Sequence, residues 1–222
     1  MCARYTLTDT GELLIRQFRL AELPDDYRPR YNIAPTQPVT VVLGAEGRRA
    51  ASFRWGLIPY WAKDPRIGQK LINARAETVA VKPSFRHSLR RRRCLVPADG
   101  FYEWRAHNGR KQPFRVVLAA GGVFAFAGLW DRWTSPEGEE VYSCTILTTD
   151  ANDRIRPIHD RMPVILPPED YDLWLDPGVQ EPEAVLPLLR PAPDDLLRAY
   201  PVSTLVNSPR HDSPACIEAV NE

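Results

Sequence analysis

Apolar and polar residues alternate along this chain in short runs, and glycines and prolines separate the runs. Short runs rich in β-branched and aromatic side chains are typical of strands in a packed sheet. One strand is predicted to end near Trp55, after a turn at Gly44–Gly47. The Gly121-Gly122 pair predicts a hairpin between the strands on either side of it. The strongest runs predict strands at Val39–Leu43, Phe114–Leu118, Val123–Leu129 and Val141–Thr148, and a last core strand at Val164–Leu166.

Helical spacing of apolar residues predicts short helices around these strands. In the first of them, Leu13, Leu14 and Phe18 fall on one face. Strands joined by hairpins, with helices added around them, predict an α+β fold. We expect a single domain over residues 1–222, in which a curved, largely antiparallel sheet forms an open barrel-like core flanked by short helices. The helices are predicted at Thr10–Phe18, Ile72–Val79, Lys82–Arg93, Glu169–Leu175 and Glu183–Leu189.

Composition excludes several classes of protein. With 222 residues, 44% of them hydrophobic and 26% charged, the chain resembles soluble globular proteins and not disordered or fibrous ones. No apolar run approaches the roughly 20 residues that a membrane span needs, and the N-terminus lacks the pattern of a signal peptide. We therefore expect a cytoplasmic protein without membrane contact. The sequence has no G-x-G-x-x-G or P-loop pattern, which argues against nucleotide-dependent chemistry.

Charge is distributed unevenly along the chain. Residues 1–111 carry a net charge of +11 and residues 112–222 a net charge of −10, although the whole chain is at +1. Arginine supplies 25 of the 29 positive side chains, and its planar guanidinium suits phosphate. Two interpretations stay open: one face of the fold is basic and binds a polyanion, or the halves interleave and their charges cancel. We interpret the run Arg90–Arg93 as partly a phosphate-facing rim and partly solvated surface.

Cysteine and histidine spacing argues against a metal site and against a disulfide framework. The cysteines are Cys2, Cys94, Cys144 and Cys216, and none forms a C-x-x-C pair or lies at zinc-ligand spacing from a histidine. Disulfides are rare in cytoplasmic proteins. We expect no metal and no cofactor, and we interpret Cys94 and Cys144 as small core residues.

Six segments carry polar residues where a simple core strand does not need them. Their order and spacing closely resemble the SOS-response-associated peptidase (SRAP) family of abasic-site processing proteins. The resemblance covers residues 1–163 with motifs and the remaining third only by general character. We expect that last third to complete the sheet and to close one side of a groove. The segments are MCARY at the start, Arg30–Gln37 (RYNIAPTQ), Arg54–Asp64 (RWGLIPYWAKD), Ile72–Thr78 (INARAET), Pro97–Trp104 (PADGFYEW) and Ile158–Pro163 (IHDRMP).

Cys2 gives this resemblance a chemical basis. Once Met1 is removed, Cys2 carries an α-amine and a thiol on adjacent carbons. An α-amine has a pKa of about 7.7–8.0, so part of it is neutral and nucleophilic at physiological pH. The amine condenses with an aldehyde to a Schiff base, and the thiol then closes onto the imine as a thiazolidine. The ring-opened sugar of an abasic site offers such an aldehyde.

The resemblance implies three further catalytic residues. Asn73 of the INAR motif is expected to orient the Cys2 amine or the sugar by hydrogen bonds. Glu103 is expected to move protons during ring opening and collapse of the carbinolamine. His159 of the IHDR motif, with a reference pKa of about 6.5, can both give and take a proton. Taken singly, these residues also fit a helix cap, a solvated strand charge and a loop histidine. The division of labour between Glu103 and His159 is a hypothesis.

The resemblance also implies a basic groove that leads to the N-terminal cysteine and binds DNA. Arg4, Arg75 and Arg161 each belong to one motif and are expected to hold phosphates beside the reacting sugar. Tyr60 and Trp61 follow the WGLIP turn, where their rings are expected to stack on bases. The DNA-binding residues expected in full are Arg4, Asn32, Tyr60, Trp61, Arg75, Thr148 and Arg161.

The chain departs from the family's usual pattern at two positions. Ala62 follows Trp61 where a second Trp is common, which weakens the expected aromatic wedge unless Tyr60 compensates. Ala3 stands where Gly is usual, and its methyl group costs some backbone freedom. We do not expect the methyl group of Ala3 to abolish activity.

These features lead to one main functional hypothesis and two alternatives. The resemblance implies a monomeric enzyme that recognises abasic sites in single-stranded DNA and forms a covalent cross-link through Cys2, which shields the lesion. AP-lyase side activity and association with the nucleoid are expected to accompany it. Two routes for the removal of Met1 stay open: cleavage by the protein itself, as the resemblance implies, or cleavage by a methionine aminopeptidase. The first alternative is an N-terminal-nucleophile cysteine peptidase that acts on peptides. The second is a passive single-strand binding module in which Cys2 is inert.

Overall fold

The computed structural model describes residues 2–44, 47–107 and 109–221, and within these ranges it contains short helices and thirteen strands. The predicted turn at Gly44–Gly47 lies partly outside the described residues. The strands are β1 (Tyr5–Leu7), β2 (Arg30–Ile33), β3 (Pro38–Leu43), β4 (Arg49–Trp55), β5 (Asn73–Arg75), β6 (Arg93–Ala98), β7 (Gly100–His107), β8 (Arg110–Leu118), β9 (Phe124–Thr134), β10 (Glu140–Asp150), β11 (Arg161–Pro163), β12 (Ile165–Leu166) and β13 (Leu197–Pro201).

The helices are short and lie between or after the strands. None of those in the described ranges has both the length and the apolar character that crossing a membrane requires. The α-helices are α1 (Glu12–Phe18), α2 (Arg86–Arg91), α3 (Tyr171–Leu175) and α4 (Pro182–Val185). The 3₁₀ helices are Pro65–Lys70, Pro168–Asp170, Leu186–Leu188, Asp194–Leu196, Thr204–Asn207 and Pro214–Cys216.

Five strands pair in a ring and form a closed barrel. β9 pairs antiparallel with β6 and with β10, β6 pairs with β3, and β3 pairs with β4. A parallel pairing of β4 with β10, with Cys144 opposite Trp55, closes the ring. β9 is apolar from Phe124 to Leu129 and buried throughout that stretch, because its side chains face the core from both sides. The predicted α+β class with a curved, largely antiparallel barrel-like core is therefore confirmed, with the barrel closed and not open.

A second, antiparallel sheet covers one side of the barrel. Its strand order is β13-β8-β7-β1-β2, so the first strand of the chain lies inside the sheet and not at an edge. Tyr5 of β1 and Phe101 of β7 both pack their rings on Phe126 of the barrel, with ring centroids 5.8 and 6.1 Å apart. The pairing of β13 with β8 completes this sheet, as we expected of the C-terminal third.

Two sequence predictions are wrong in informative ways. The Gly121-Gly122 pair does not form a hairpin, because β8 pairs with β7 and β13 whereas β9 pairs with β6, β10 and β12. Both glycines have positive φ and reverse the chain, but the turn carries it from the second sheet to the barrel. The predicted helix at Ile72–Val79 is not formed: Asn73–Arg75 are strand β5, which runs parallel to β10, and turns follow it. In INARA, apolar residues also alternate with polar ones, which is the two-residue period of a strand. Pairing with β10 favours the strand over the helix.

The remaining helix predictions hold in part. α1 confirms the helix at Thr10–Phe18, whereas α2 is shorter than predicted because Arg93 already belongs to β6. The short β12 falls within the predicted strand at Val164–Leu166, but the last strand of the fold is β13. Arg93 is buried and donates from Nε to the Trp174 carbonyl oxygen, 2.5 Å away. Part of the arginine run is therefore structural, which neither interpretation of that run included.

We predict that Gly56→Ala destabilises the protein more than Gly121→Ala does. Gly56 has φ +128°, and a Cβ there meets the carbonyl oxygen of Gly68 at 2.6 Å. Gly121 has φ +75° with nothing within 4 Å of its Cβ. The first change adds a backbone clash to the conformational cost, so we expect a loss of about 2–4 kcal/mol against about 1 kcal/mol. Urea unfolding of both variants measures this, and equal losses would contradict the packing argument.

Candidate active site beside the N-terminal strand

A pocket of about 540 Å³ opens between the second sheet and the segment that precedes β5. β7 contributes two neighbouring side chains to it, and the loop between β10 and β11 and the 3₁₀ helix Thr204–Asn207 contribute one each. Residues distant in the sequence therefore share one cavity. The lining residues are Ala3, Ile72, Glu103, Trp104, Lys111, His159 and Asn207.

The pairing of β1 with β7 brings the start of the chain to this pocket. Tyr5 lies opposite Phe101, and the Tyr102 N–H donates to the Arg4 carbonyl oxygen at 3.0 Å. Continued in the same register, the chain runs past Glu103, and Ala3 reaches the pocket wall. Cys2 is fully buried, and its thiol lies 3.9 Å from the Arg4 carbonyl oxygen. Burial, together with the nearby charge of Glu103, raises the pKa of this thiol well above its usual range.

Glu103 lies on β7 and is only 2% exposed. Burial disfavours the charged carboxylate and raises the pKa of Glu103 to about 8. Most of the carboxyl group is therefore protonated at neutral pH, and it exchanges its proton close to that pH. A group with these properties can act as a general acid and, after proton transfer, as a general base.

His159 is half-buried in the loop before β11. Its Nδ1 accepts a hydrogen bond from the Arg161 N–H at 2.9 Å and lies 2.9 Å from a carboxylate oxygen of Asp160. Burial lowers the pKa of His159 below its usual value, which fits the neutral ring with Nδ1 as acceptor and the proton on Nε2. The residue thus enters the pocket wall as a neutral imidazole.

Asn73 is the first residue of β5, and Trp55 helps to hold it there by donating from Nε1 to the Ile72 carbonyl oxygen at 2.9 Å. The Asn73 amide donates to the Ile146 carbonyl oxygen at 3.4 Å, while its buried Oδ1 has no partner among the described residues. Thr148, opposite Arg75 in the β10–β5 ladder, likewise has a buried hydroxyl without a described partner. The β10–β5 ladder therefore brings together unused polar atoms of two predicted site residues, Asn73 and Thr148.

Two residues predicted to bind DNA hold the fold together at this point. Arg4 donates from one guanidinium nitrogen to Asn32 Oδ1 at 2.8 Å and to the Val206 carbonyl oxygen at 2.5 Å. The fully buried Asn32 amide donates in turn to the carbonyl oxygens of Ser208 and His211, at 3.0 and 2.6 Å. These bonds fasten the C-terminal segment to β2.

Arg161, also expected to hold phosphate, is occupied by acidic side chains. Its guanidinium contacts Glu77 at 2.7 and 3.0 Å and Asp150 at 2.7 Å, and it donates to the Thr148 carbonyl oxygen. Arg75 on β5 is exposed instead. The motif arginines therefore occupy different environments, although the motifs predicted the same phosphate-binding role for all of them.

Tyr60 and Trp61 are exposed at 55% and 46%, yet their loop is firmly anchored. The Tyr60 N–H donates to the buried carboxylate of Asp131 at 3.0 Å. The Ala62 carbonyl oxygen accepts from Trp133 Nε1 at 2.7 Å. Two large aromatic rings thus face solvent on a fixed backbone, as base stacking requires.

The structure adds pocket residues that the sequence reasoning missed. Lys111, Trp104 and Asn207 line the pocket, and none of the three was among the predicted site residues. The Trp104 indole donates to Asn207 Oδ1 at 2.7 Å. Lys111 and Asn207 lie outside the six segments, so no motif marked them.

Neither a metal site nor a disulfide is found in the part of the chain that the structure describes. No group of three or more His, Cys, Asp or Glu side chains there is arranged to hold a metal ion. All four cysteines are buried and free.

The fold and the pocket define a barrel-and-sheet protein that holds Cys2, the second residue of the chain, beside the buried carboxyl group of Glu103. The family model described as SOS response associated peptidase (SRAP) matches residues 1–209. The chain belongs to the SRAP family.

Relatives with known names span nearly all of this chain. It is 48% identical over 223 residues to the abasic site processing protein YoqW of Bacillus subtilis, covering 99% of this chain and 100% of that protein. It is 34% identical to the abasic site processing protein HMCES of Xenopus tropicalis, covering 88% of this chain and 68% of that protein. A crystal structure of a protein from Bacteroides thetaiotaomicron superposes with a TM-score of 0.88 at 26% identity, covering 99% of this chain and 100% of that one.

We predict that Glu103→Gln gains stability over the wild type as pH rises. Folding raises the pKa of Glu103 from its ordinary 4.5 to about 8, so the folded state binds a proton that the unfolded chain releases between these values. Wild-type stability therefore falls with rising pH across this window, and a glutamine does not titrate. We expect the difference in unfolding free energy between variant and wild type to grow by about 2–4 kcal/mol from pH 5 to pH 9.

Urea unfolding at both pH values measures this difference. Glu137→Gln, which changes an exposed turn residue, is the matched control. A Glu103→Gln difference that is the same at pH 5 and pH 9 would show that burial does not shift this carboxyl group.

Proposed function

We propose that this protein recognises abasic sites in single-stranded DNA and forms a covalent thiazolidine cross-link to them through Cys2, after Met1 has been removed. The observation that carries the proposal is that β1 brings the N-terminal residues into the same pocket as Glu103 and His159. The names of the relatives, abasic site processing proteins, support it. We place this activity in the cytoplasm, on DNA of the nucleoid, with the protein acting as a monomer.

The cross-link forms in two balanced steps. The free Cys2 amine adds to the aldehyde of the ring-opened abasic sugar, and the carbinolamine loses water to give an imine. The Cys2 thiol then adds across the carbon–nitrogen double bond, its proton passes to the nitrogen, and a five-membered ring closes. The ring ties up both the amine and the thiol, so it resists hydrolysis better than the imine alone. If the imine loses its C2′ proton before the ring closes, a C2′–C3′ double bond forms and the 3′ phosphate leaves, which cleaves the strand and is the AP-lyase side activity.

Glu103 and His159 move the protons in this scheme. In its protonated form, Glu103 can donate to the departing hydroxyl group of the carbinolamine, which becomes water. The neutral ring of His159 can accept a proton from the sugar hydroxyl during ring opening. Asn73 Oδ1, which is buried and unused, can accept from the Cys2 amine or from a sugar hydroxyl. Removal of Met1 by the protein itself would use the same acid–base pair.

The exposed rings of Tyr60 and Trp61 suit stacking on unpaired bases, and exposed Arg75 suits a phosphate. This set recognises backbone and base faces and not sequence. Single strands fit it better than a duplex because their bases are free to stack.

The chemistry of the thiol favours this proposal over the peptidase alternative. A cysteine peptidase attacks with a thiolate, and its site lowers the pKa of the cysteine. Here burial raises the pKa of Cys2, so the thiol keeps its proton. A protonated thiol is compatible with a reaction in which the amine attacks first.

A denaturing gel tests the proposal with single-stranded DNA that contains one abasic site. We expect wild type without Met1 to give a heat-stable adduct in the absence of borohydride. Cys2→Ser keeps the amine but not the thiol, so its adduct should survive only after borohydride reduces the imine. A form that retains Met1 should give no adduct. No adduct from wild type, with Met1 shown by mass spectrometry to be absent, would reject the proposal and favour the peptidase.

In the same assay, Glu103→Gln and His159→Ala should slow cross-linking by about tenfold or more, because each removes one proton-transfer group. Both variants should still bind DNA, since neither contributes a charge to phosphate binding. Wild-type rates in both would remove these residues from the mechanism.

A further inference from the structure

The hydrogen bond between Trp104 and Asn207 fixes the direction of the Asn207 amide. The indole N–H only donates, so the atom 2.7 Å from it must be Oδ1 of Asn207. The amide NH₂ is then left as a donor in the pocket lining, and it has no partner among the described residues. Asn207 thus offers two N–H groups to an occupant of the pocket.

The backbone around Asn207 is held firmly. Val206, the preceding residue, accepts hydrogen bonds at its carbonyl oxygen from Arg4 and Asn32, at 2.5 and 3.3 Å. Ser203 caps the 3₁₀ helix by accepting from the Leu205 N–H at 3.3 Å. The donor position is therefore built into the fold, although the side chain itself is exposed.

Lys111 supplies a positive charge to the same wall. It lies on β8 opposite Ala106 of β7, is exposed, and forms no ion pair within residues 2–44, 47–107 and 109–221. Burial keeps Glu103 mostly protonated and His159 mostly neutral at pH 7, so neither cancels this charge. The two motif arginines that were expected to bind phosphate, Arg4 and Arg161, are engaged within the fold.

We infer that Lys111 and Asn207 form a subsite for a backbone phosphate next to the abasic sugar. An ammonium group and an amide NH₂ both donate, and a phosphodiester oxygen is the acceptor that a DNA strand presents beside the reacting sugar. The inference rests on the proposed function, because it places the strand in the pocket of Glu103 and His159. It assigns the phosphate to residues outside the six motifs.

Binding of an unreactive substrate analogue tests the subsite. The probe is a short single strand with a tetrahydrofuran residue, which has no aldehyde, in place of the abasic sugar. We expect Lys111→Gln and Asn207→Asp to weaken binding about five- to tenfold, because each removes a donor to phosphate. Lys111→Gln should also lower the slope of log affinity against log salt by about one. Lys82→Gln removes an exposed lysine that is not among the pocket-lining residues and should bind like wild type.

A neutral methylphosphonate at each flanking linkage in turn identifies the contact. At one of the two linkages, the methylphosphonate should weaken wild-type binding by the same factor as Lys111→Gln does. On that modified strand, Lys111→Gln should weaken binding no further. If the loss of affinity from the methylphosphonate and the loss from Lys111→Gln multiply at both linkages, Lys111 contacts neither phosphate and the assignment is overturned. Unchanged binding by both variants, while wild type cross-links aldehyde DNA, would overturn the subsite alone. Failure of wild type to cross-link, with the methylphosphonate pattern intact, would reject the proposed chemistry and keep the subsite.

Discussion

The insertion of β1 between β7 and β2 is the constraint on which the site depends. Tyr5 pairs with Phe101 on one side and Ile33 on the other, and its ring packs on Trp55 and Phe126. The termini of most proteins are loosely held, whereas this chain enters the middle of a sheet three residues after Cys2. The entropy of ordering Cys2 is thus lost during folding, which in the proposed reaction favours attack on a bound aldehyde.

Burial in this position has electrostatic consequences. The same strand pairing that fixes Cys2 also removes Glu103 from water, which raises the pKa of both groups. A buried carboxyl group costs stability once it ionises, and in the proposed mechanism the same burial provides a proton donor near neutral pH. The C-terminal segment contributes to the same site. Its carbonyl oxygens accept hydrogen bonds from Arg4 and Asn32, and Asn207 lines the pocket.

The sequence predicted what depends on local pattern and on chemistry, and it failed where tertiary contacts decide. Strands β3, β8, β9 and β10 follow from β-branched and aromatic runs, and the six motifs pointed to the family. The sequence of a turn does not determine which strands pair with each other, so the chain reversal at Gly121-Gly122 was mistaken for a hairpin. β5 was mistaken for a helix because its residues fit both helical spacing and strand alternation, and only the pairing with β10 decides between them.

The same limit applies to individual side chains of the site. Sequence motifs name Arg4, Arg75 and Arg161 together but cannot tell which guanidinium is occupied by the protein itself. In the structure, Arg161 is bound by two carboxylates and Arg75 is exposed. Asn207 reaches the pocket only through the fold, since more than a hundred residues separate it from Glu103.

In the proposed reaction both the amine and the thiol of Cys2 are consumed in one cross-link, and peptide mapping of the adduct tests whether both are. The isolated adduct is denatured, treated with a thiol-alkylating reagent, digested and analysed by mass spectrometry. We expect an N-terminal peptide that begins at Cys2, carries the sugar remnant and resists alkylation, whereas Cys94, Cys144 and Cys216 are all alkylated. A remnant on any lysine, or an alkylated Cys2 in the cross-linked peptide, would contradict it.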